Sequence, residues 1–156
     1  MIDWTECDIL WRMKRAIVSG FFNPFHGGHL DMIEAAKGMA DYLIVIVNND
    51  VQQELKKGKI ILPEQNRARV MAALRDVDEV MIAVDQDPSV IRSLEAVALK
   101  YPDDELLFAN GGDRDSEKVI PEGDVCRQYG IQLVFGAGVT KVDSSTRINQ
   151  ALGYEK

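Results

Sequence analysis

Two histidines three residues apart, His26 and His29, bracket a glycine pair in the string Phe22-Asn23-Pro24-Phe25-His26-Gly27-Gly28-His29, and the chain has no other histidine. An imidazole can donate a hydrogen bond in either protonation state, and its charge is set by its surroundings near neutral pH. If a helix begins at Gly28, both rings stand at its N-terminus, where free N–H groups and the helix dipole favour anions. Gly27 and Gly28 keep side chains away from the backbone, so a phosphate can approach it. The chemistry that suits this string is phosphate binding and stabilisation of charge on phosphate oxygens. Zinc is the competing use, but it needs a third ligand, and Cys7 and Cys126 offer none at usable spacing.

The elements around the string alternate between two periodicities. Residues 16–20 and 41–47 are continuous apolar runs, as expected of parallel strands covered on both faces. Residues 79–84, 105–109 and 132–135 read as three more strands. Leu30, Ile33 and Ala36 give residues 28–39 a helical stripe, and Pro63 stands at the first turn of a helix over 64–74. Pro88 opens another helix through Leu94, Val97 and Leu99, and a last helix starts near Ser144. Strand–helix alternation predicts right-handed βαβ units in an α/β, Rossmann-like, doubly wound five-stranded parallel sheet. Ligands bind such sheets outside the strands' carboxyl ends, where the strand order reverses. The histidine string follows the first strand and falls at that crevice.

A chain of 156 residues, 46% apolar and 28% charged, forms one ordinary globular domain, which we place at residues 14–156 behind an extension at 1–13. Trp4, Ile9, Leu10 and Trp11 in that extension suit a small docked helix, or else a subunit contact. A net charge of −7, from 18 basic and 25 acidic residues, argues against a nucleic-acid partner. Two widely separated cysteines read as reduced thiols, no apolar run is long enough to span a membrane, and the N-terminus lacks the pattern of a secretory signal. These features predict a cytoplasmic location.

The histidine string resembles the H-x-G-H signature of the nucleotidyltransferase superfamily, and Ser144-Ser145-Thr146-Arg147-Ile148 is similar to the S-S/T-T segment that opens its members' last helix. The resemblance runs over about residues 15–150 and is nearest the branch of glycerol-3-phosphate cytidylyltransferase and the ADP-heptose synthase adenylyltransferase domain. Lys56-Lys57-Gly58-Lys59 looks like that branch's flexible segment over the phosphates. Arg67 and Val77-Asp78-Glu79-Val80 are similar to its R…VDEV stretch, Asn110-Gly111-Gly112-Asp113 to its GGD turn, and Val47-Asn48-Asn49-Asp50 to its V-N-S-D segment. Asn23 stands where cytidylyltransferases usually carry Asp. Val139, Asp143 and Asn149 also depart from the pattern, with Lys141 the basic residue nearest Val139.

The resemblance implies an in-line displacement at the α-phosphorus with pyrophosphate leaving, so positioning and charge stabilisation carry the catalysis. His26, His29, Lys57 and Arg67 are the implied catalytic groups. Phe21, Phe22, Asn23, Gly28, Gly112, Asp113, Ser144, Ser145 and Thr146 join the two histidines in holding the nucleotide. Plain helix capping is the competing use of Ser144, a solvated surface that of the lysines, and a surface ion pair that of Arg67. The implied reaction moves CMP from CTP to a small phosphorylated alcohol or sugar, with AMP transfer from ATP as the alternative and a catalytically silent relative as a further one. The implied Mg2+ rides mainly on the triphosphate without a dedicated protein site, and a homodimer is the implied assembly. The chain has no G-x-x-x-x-G-K-[ST] or G-x-G-x-x-G string.

Overall fold

The five aliphatic runs become five strands in a computed structural model that describes residues 12–111, 120–138 and 144–156. They are β1 (Lys14–Gly20), β2 (Tyr42–Val47), β3 (Glu79–Ile82), β4 (Glu105–Gly111) and β5 (Gln132–Ala137). All pair in parallel in the order β3-β2-β1-β4-β5. From β1 the chain first builds outward through β2 and β3, then returns to add β4 and β5 on the other side. The reversal therefore lies between β1 and β4, and a crevice opens at their carboxyl ends.

Consecutive β1 residues feed two separate cores, because successive side chains point to opposite faces. Ile17 packs with Ile44, Ile46, Leu94, Val97 and Phe108 on one face. Ala16 and Val18 pack with Ile33, Leu43, Val45 and Met71 on the other. Burial on both sides accounts for the unbroken apolar runs in β1 and β2.

Six helices are described: α1 (Gly27–Gly38), α2 (Asp50–Lys57), α3 (Glu64–Ala72), α4 (Ile91–Lys100), α5 (Gly123–Tyr129) and α6 (Ser145–Ala151). Helices α2 and α5 are not among the elements legible in the sequence. The start of α2 is nonetheless written locally: Asn49 caps it by accepting from the Gln52 N–H at 2.9 Å, and Gln52 returns a bond to the Asn49 N–H at 3.0 Å. Helix α4 begins at Ile91 and not at Pro88, because the buried Asp85 carboxylate collects the N–H groups of Arg92 (2.7 Å) and Ser93 (3.1 Å) and fixes the first turn there. Lys56 and Lys57 correct the expected flexible segment: they form the last turn of α2, which Gly58 ends in a left-handed conformation at φ 74°.

The opposite, amino end of the sheet is closed by charge. Asp78 accepts from Lys37 Nζ (2.6 Å) and the Leu43 N–H (2.8 Å), and Glu79 accepts from the Tyr101 hydroxyl (2.8 Å). The Val77-Asp78-Glu79-Val80 motif therefore braces the end of the sheet remote from the crevice. Residues 1–11, with their tryptophans, lie outside the described part of the chain.

Candidate active site

The turn from β1 to α1 is held by the two histidines themselves. His26 is the N-cap, in extended conformation, and its Nδ1 accepts from the Gly28 N–H at 3.1 Å. In return the His26 N–H donates to His29 Nδ1 at 3.3 Å. This is a capping box in which imidazoles stand where Ser/Thr and Glu/Gln are usual. A ring nitrogen that accepts carries no proton, so the neutral form of each ring bears its N–H at Nε2. The rings stack at 3.8 Å between centroids, and Phe22 meets His29 edge-on at 5.0 Å. Burial, followed by the charge of His26, lowers the His29 pKa to about 4. At neutral pH His29 is an uncharged donor through Nε2.

Phe22 buttresses this pair from below. Its backbone turns left-handed at φ 52° and its ring, 2% exposed, lies across the end of β1. A Cβ on Gly20 would stand 3.0 Å from Phe22 Cζ, so a larger residue there would push against the folded-back ring. At the far wall a Cβ on Gly138 (φ 79°) would come within 2.9 Å of the Met32 nitrogen, so only glycine lets the end of β5 abut α1.

The cleft above them has a volume of about 400 Å³. Phe21, Phe22, Asn23, His26, Gly28, His29, Lys57, Ser144, Ser145 and Thr146 all border it, so the two sequence motifs, over 110 residues apart, converge there. Ser144 is the N-cap of α6, its hydroxyl accepting from the Arg147 N–H at 3.1 Å. The Ser145 hydroxyl donates to the Pro24 carbonyl at 2.8 Å and ties α6 to the histidine turn. Capping and cleft lining thus coexist in one segment. Lys57 reaches across with Nζ 3.5 Å from Thr146 Oγ1 and pairs with Glu155. Lys56 lies over the Phe21 ring at 4.6 Å.

Arg67 is neither a surface ion pair nor a residue of the cleft lining. It is 2% exposed, donates to the carbonyls of Phe21 (2.9 Å), Asn48 (2.6 Å) and Leu62 (2.7 Å), and pairs with Asp50 at 3.0 Å. Burial pulls its pKa down while Asp50 and Glu64 push it back up. Its geometry is that of a positioning residue, clamping the loops after β1 and β2 beneath the cleft. Asn23 is similarly engaged: it donates to Gln53 Oε1 (2.6 Å) and accepts from the Leu62 N–H (3.1 Å). Gln53 is oriented by donating to Leu62 O and Asp50, so it presents an acceptor to position 23. An aspartate there would oppose acceptor to acceptor, a physical reason for asparagine in this chain. Gly112 and Asp113 lie outside the described residues.

Asn48, Pro88 and Glu122 also border the cleft, with no site role read for them from the sequence, and Lys56 borders it beside Lys57. Asn48 belonged to a quoted segment without an assigned role, and Pro88 had been taken for a helix start. Glu122, in a loop without periodicity, carried no signal. Among the described residues no group of three or more His, Cys, Asp or Glu is placed to hold a metal ion, and no helix is long and apolar enough to cross a membrane.

A parallel α/β sheet with a donor-rich cleft at its switch point defines the class as Rossmann-like. Within that class, the chain belongs to the cytidylyltransferase-like family, whose model matches residues 17–151. It is 34% identical over 137 residues to the bifunctional protein HldE of Gluconacetobacter diazotrophicus, covering 86% of this chain and 26% of that protein. It is 39% identical over 105 residues to an FAD synthase of Pyrococcus abyssi, covering 67% of this chain and 66% of the relative. The chain thus spans about a quarter of the HldE proteins it matches. In fold it resembles a lipopolysaccharide core biosynthesis protein from Thermoplasma volcanium, with a TM-score of 0.61 at 20% identity over 81% of this chain and 98% of the other.

Proposed function

We propose that the chain transfers a nucleoside monophosphate from CTP or ATP to a small phosphorylated acceptor, releasing pyrophosphate. The observation that carries this reading is the histidine pair. Both Nδ1 atoms are spent on backbone N–H groups, so His26 and His29 border the cleft with Nε2 as the remaining donor of the neutral ring. Charge moves onto phosphate oxygens as the α-phosphorus is displaced, and fixed N–H donors lower the barrier without reorganising. The acceptor phosphate is already an anion, so no side-chain nucleophile is required. Lys57 and the hydroxyls of Ser144 and Thr146 complete a cradle for a polyanion in an otherwise acidic protein.

The cradle is composed mainly of N–H and O–H donors, which fits a metal arriving on the triphosphate better than one held by the protein. Mg2+ would neutralise charge on the phosphates. CTP is the donor that the sequence resemblance implies; the FAD synthase relatives favour ATP as the second reading. The test is pyrophosphate release with each ribonucleoside triphosphate against a panel of phosphorylated alcohols, sugars and flavin mononucleotide. Turnover with CTP or ATP and one acceptor class is expected; no release with any pair would overturn the proposal. A homodimer is part of the same proposal, checked by sedimentation.

A further inference from the structure

The cleft crosses from one face of the sheet to the other, and its two ends differ in chemistry. The end over α1 is bordered by His26 and His29. The other end is bordered by Pro88, Val90 and Glu122, where Val90 belongs to the opposite core and Glu122 lies between its members Ile120 and Val125. Glu122 is 5% exposed. Its Oε1 accepts from the Val90 N–H at 3.2 Å, just before α4, while Oε2 meets no donor among the described residues.

A buried carboxylate oxygen without donors is costly, and bracing Val90 needs only one oxygen, which a neutral amide could provide. A carboxylate in the cleft wall also repels phosphate. The triphosphate and the acceptor's phosphate are therefore driven to the histidine end. What comes against Glu122 must be uncharged or cationic and rich in hydrogen-bond donors.

We propose that Glu122 is a specificity residue that accepts a hydrogen bond from a hydroxyl on the non-phosphate part of the acceptor, a polyol or sugar. This rests on the transferase reading and adds the residue that reads the acceptor's hydroxyls and the end of the cleft that receives them. A hydroxyl donating to Oε2 there makes a charge-assisted bond, and acceptors without one leave the carboxylate unsatisfied.

Glu122→Gln retains the volume and the oxygen facing Val90 but replaces the second acceptor with a donor. Calorimetry with ADP, CDP, ADP-ribose, ADP-glucose, CDP-glycerol and FAD compares product-like ligands with their bare nucleotides, so no turnover is needed. The expected result is that at least one polyhydroxylated product binds the wild type more tightly than its nucleoside diphosphate. The variant then loses roughly tenfold or more of that product's affinity, while ADP and CDP bind unchanged. Equal losses for the bare nucleotides would show that Glu122 reads the nucleoside and overturn the proposal. Unchanged affinities, or no advantage of any product over its nucleotide in the wild type, would also overturn it. Failure of ADP and CDP to bind at all would instead overturn the transferase reading.

Discussion

Replacing His29 separates its two jobs, because they use different nitrogens. Nδ1 closes the capping box through the His26 N–H, while the neutral ring has its donor at Nε2. His29→Asn places an amide oxygen near the Nδ1 position and removes the Nε2 donor. His29→Ala removes both, and either variant loses the ring contacts to Phe22 and His26. Loss of one preorganised donor is worth on the order of 10²–10³-fold in kcat, or about 3–4 kcal/mol. Loss of the cap costs about 1 kcal/mol and loss of ring packing about 1 more. For a domain of this size that total lowers Tm by roughly 4–8 °C. Turnover should therefore fall by similar factors in both variants, with kcat and kcat/KM lowered together. Their melting temperatures should diverge, His29→Asn keeping the cap, losing only the ring packing and so melting between His29→Ala and the wild type. Near-normal turnover of folded His29→Asn would refute the donor role.

Arg67→Ala should lower stability in urea unfolding by about 3–5 kcal/mol, because it strands three carbonyls and Asp50; Arg67→Lys should not restore it, lacking the fork of donors. An unchanged midpoint with reduced turnover would return Arg67 to a direct catalytic role. Glu155→Gln removes the counterion of Lys57 and should lower KM for the nucleotide several-fold; an unchanged or higher KM would show that the ion pair does not compete with phosphate. Because the folded state holds His29 near pKa 4 against 6.5 in the unfolded chain, the unfolded state binds more protons between those values. Stability should fall as pH drops from 6.5 to 4, by up to about 3 kcal/mol, and His29→Asn should flatten that part of the profile; an identical profile in the variant would refute the assignment.

The sheet was legible because β1 and β2 are buried on both faces and therefore apolar without interruption, a pattern that needs no tertiary knowledge. The histidine turn was legible from residue type and spacing, since a strand, two glycines and two imidazoles have few other uses. Helix α2 was not, because its buried face is Gln52 and Gln53, polar residues that apolar periodicity cannot detect. Arg67 was singled out only through the resemblance, as a catalytic group, and its burial could not be read: a guanidinium satisfied by backbone carbonyls looks, in sequence, like any other arginine. Glu122 is placed by packing between the cores and the cleft, and no local pattern records it.

The central claim, transfer of the α-phosphoryl with its nucleoside, is tested most directly by following label. Incubation of the protein and Mg2+ with α-³²P- or γ-³²P-labelled CTP or ATP and the acceptor panel should place α-label in a nucleoside diphosphate-linked product and γ-label in pyrophosphate, in equal amounts. Label from the γ position in the acceptor, or release of orthophosphate in place of pyrophosphate, would contradict the account.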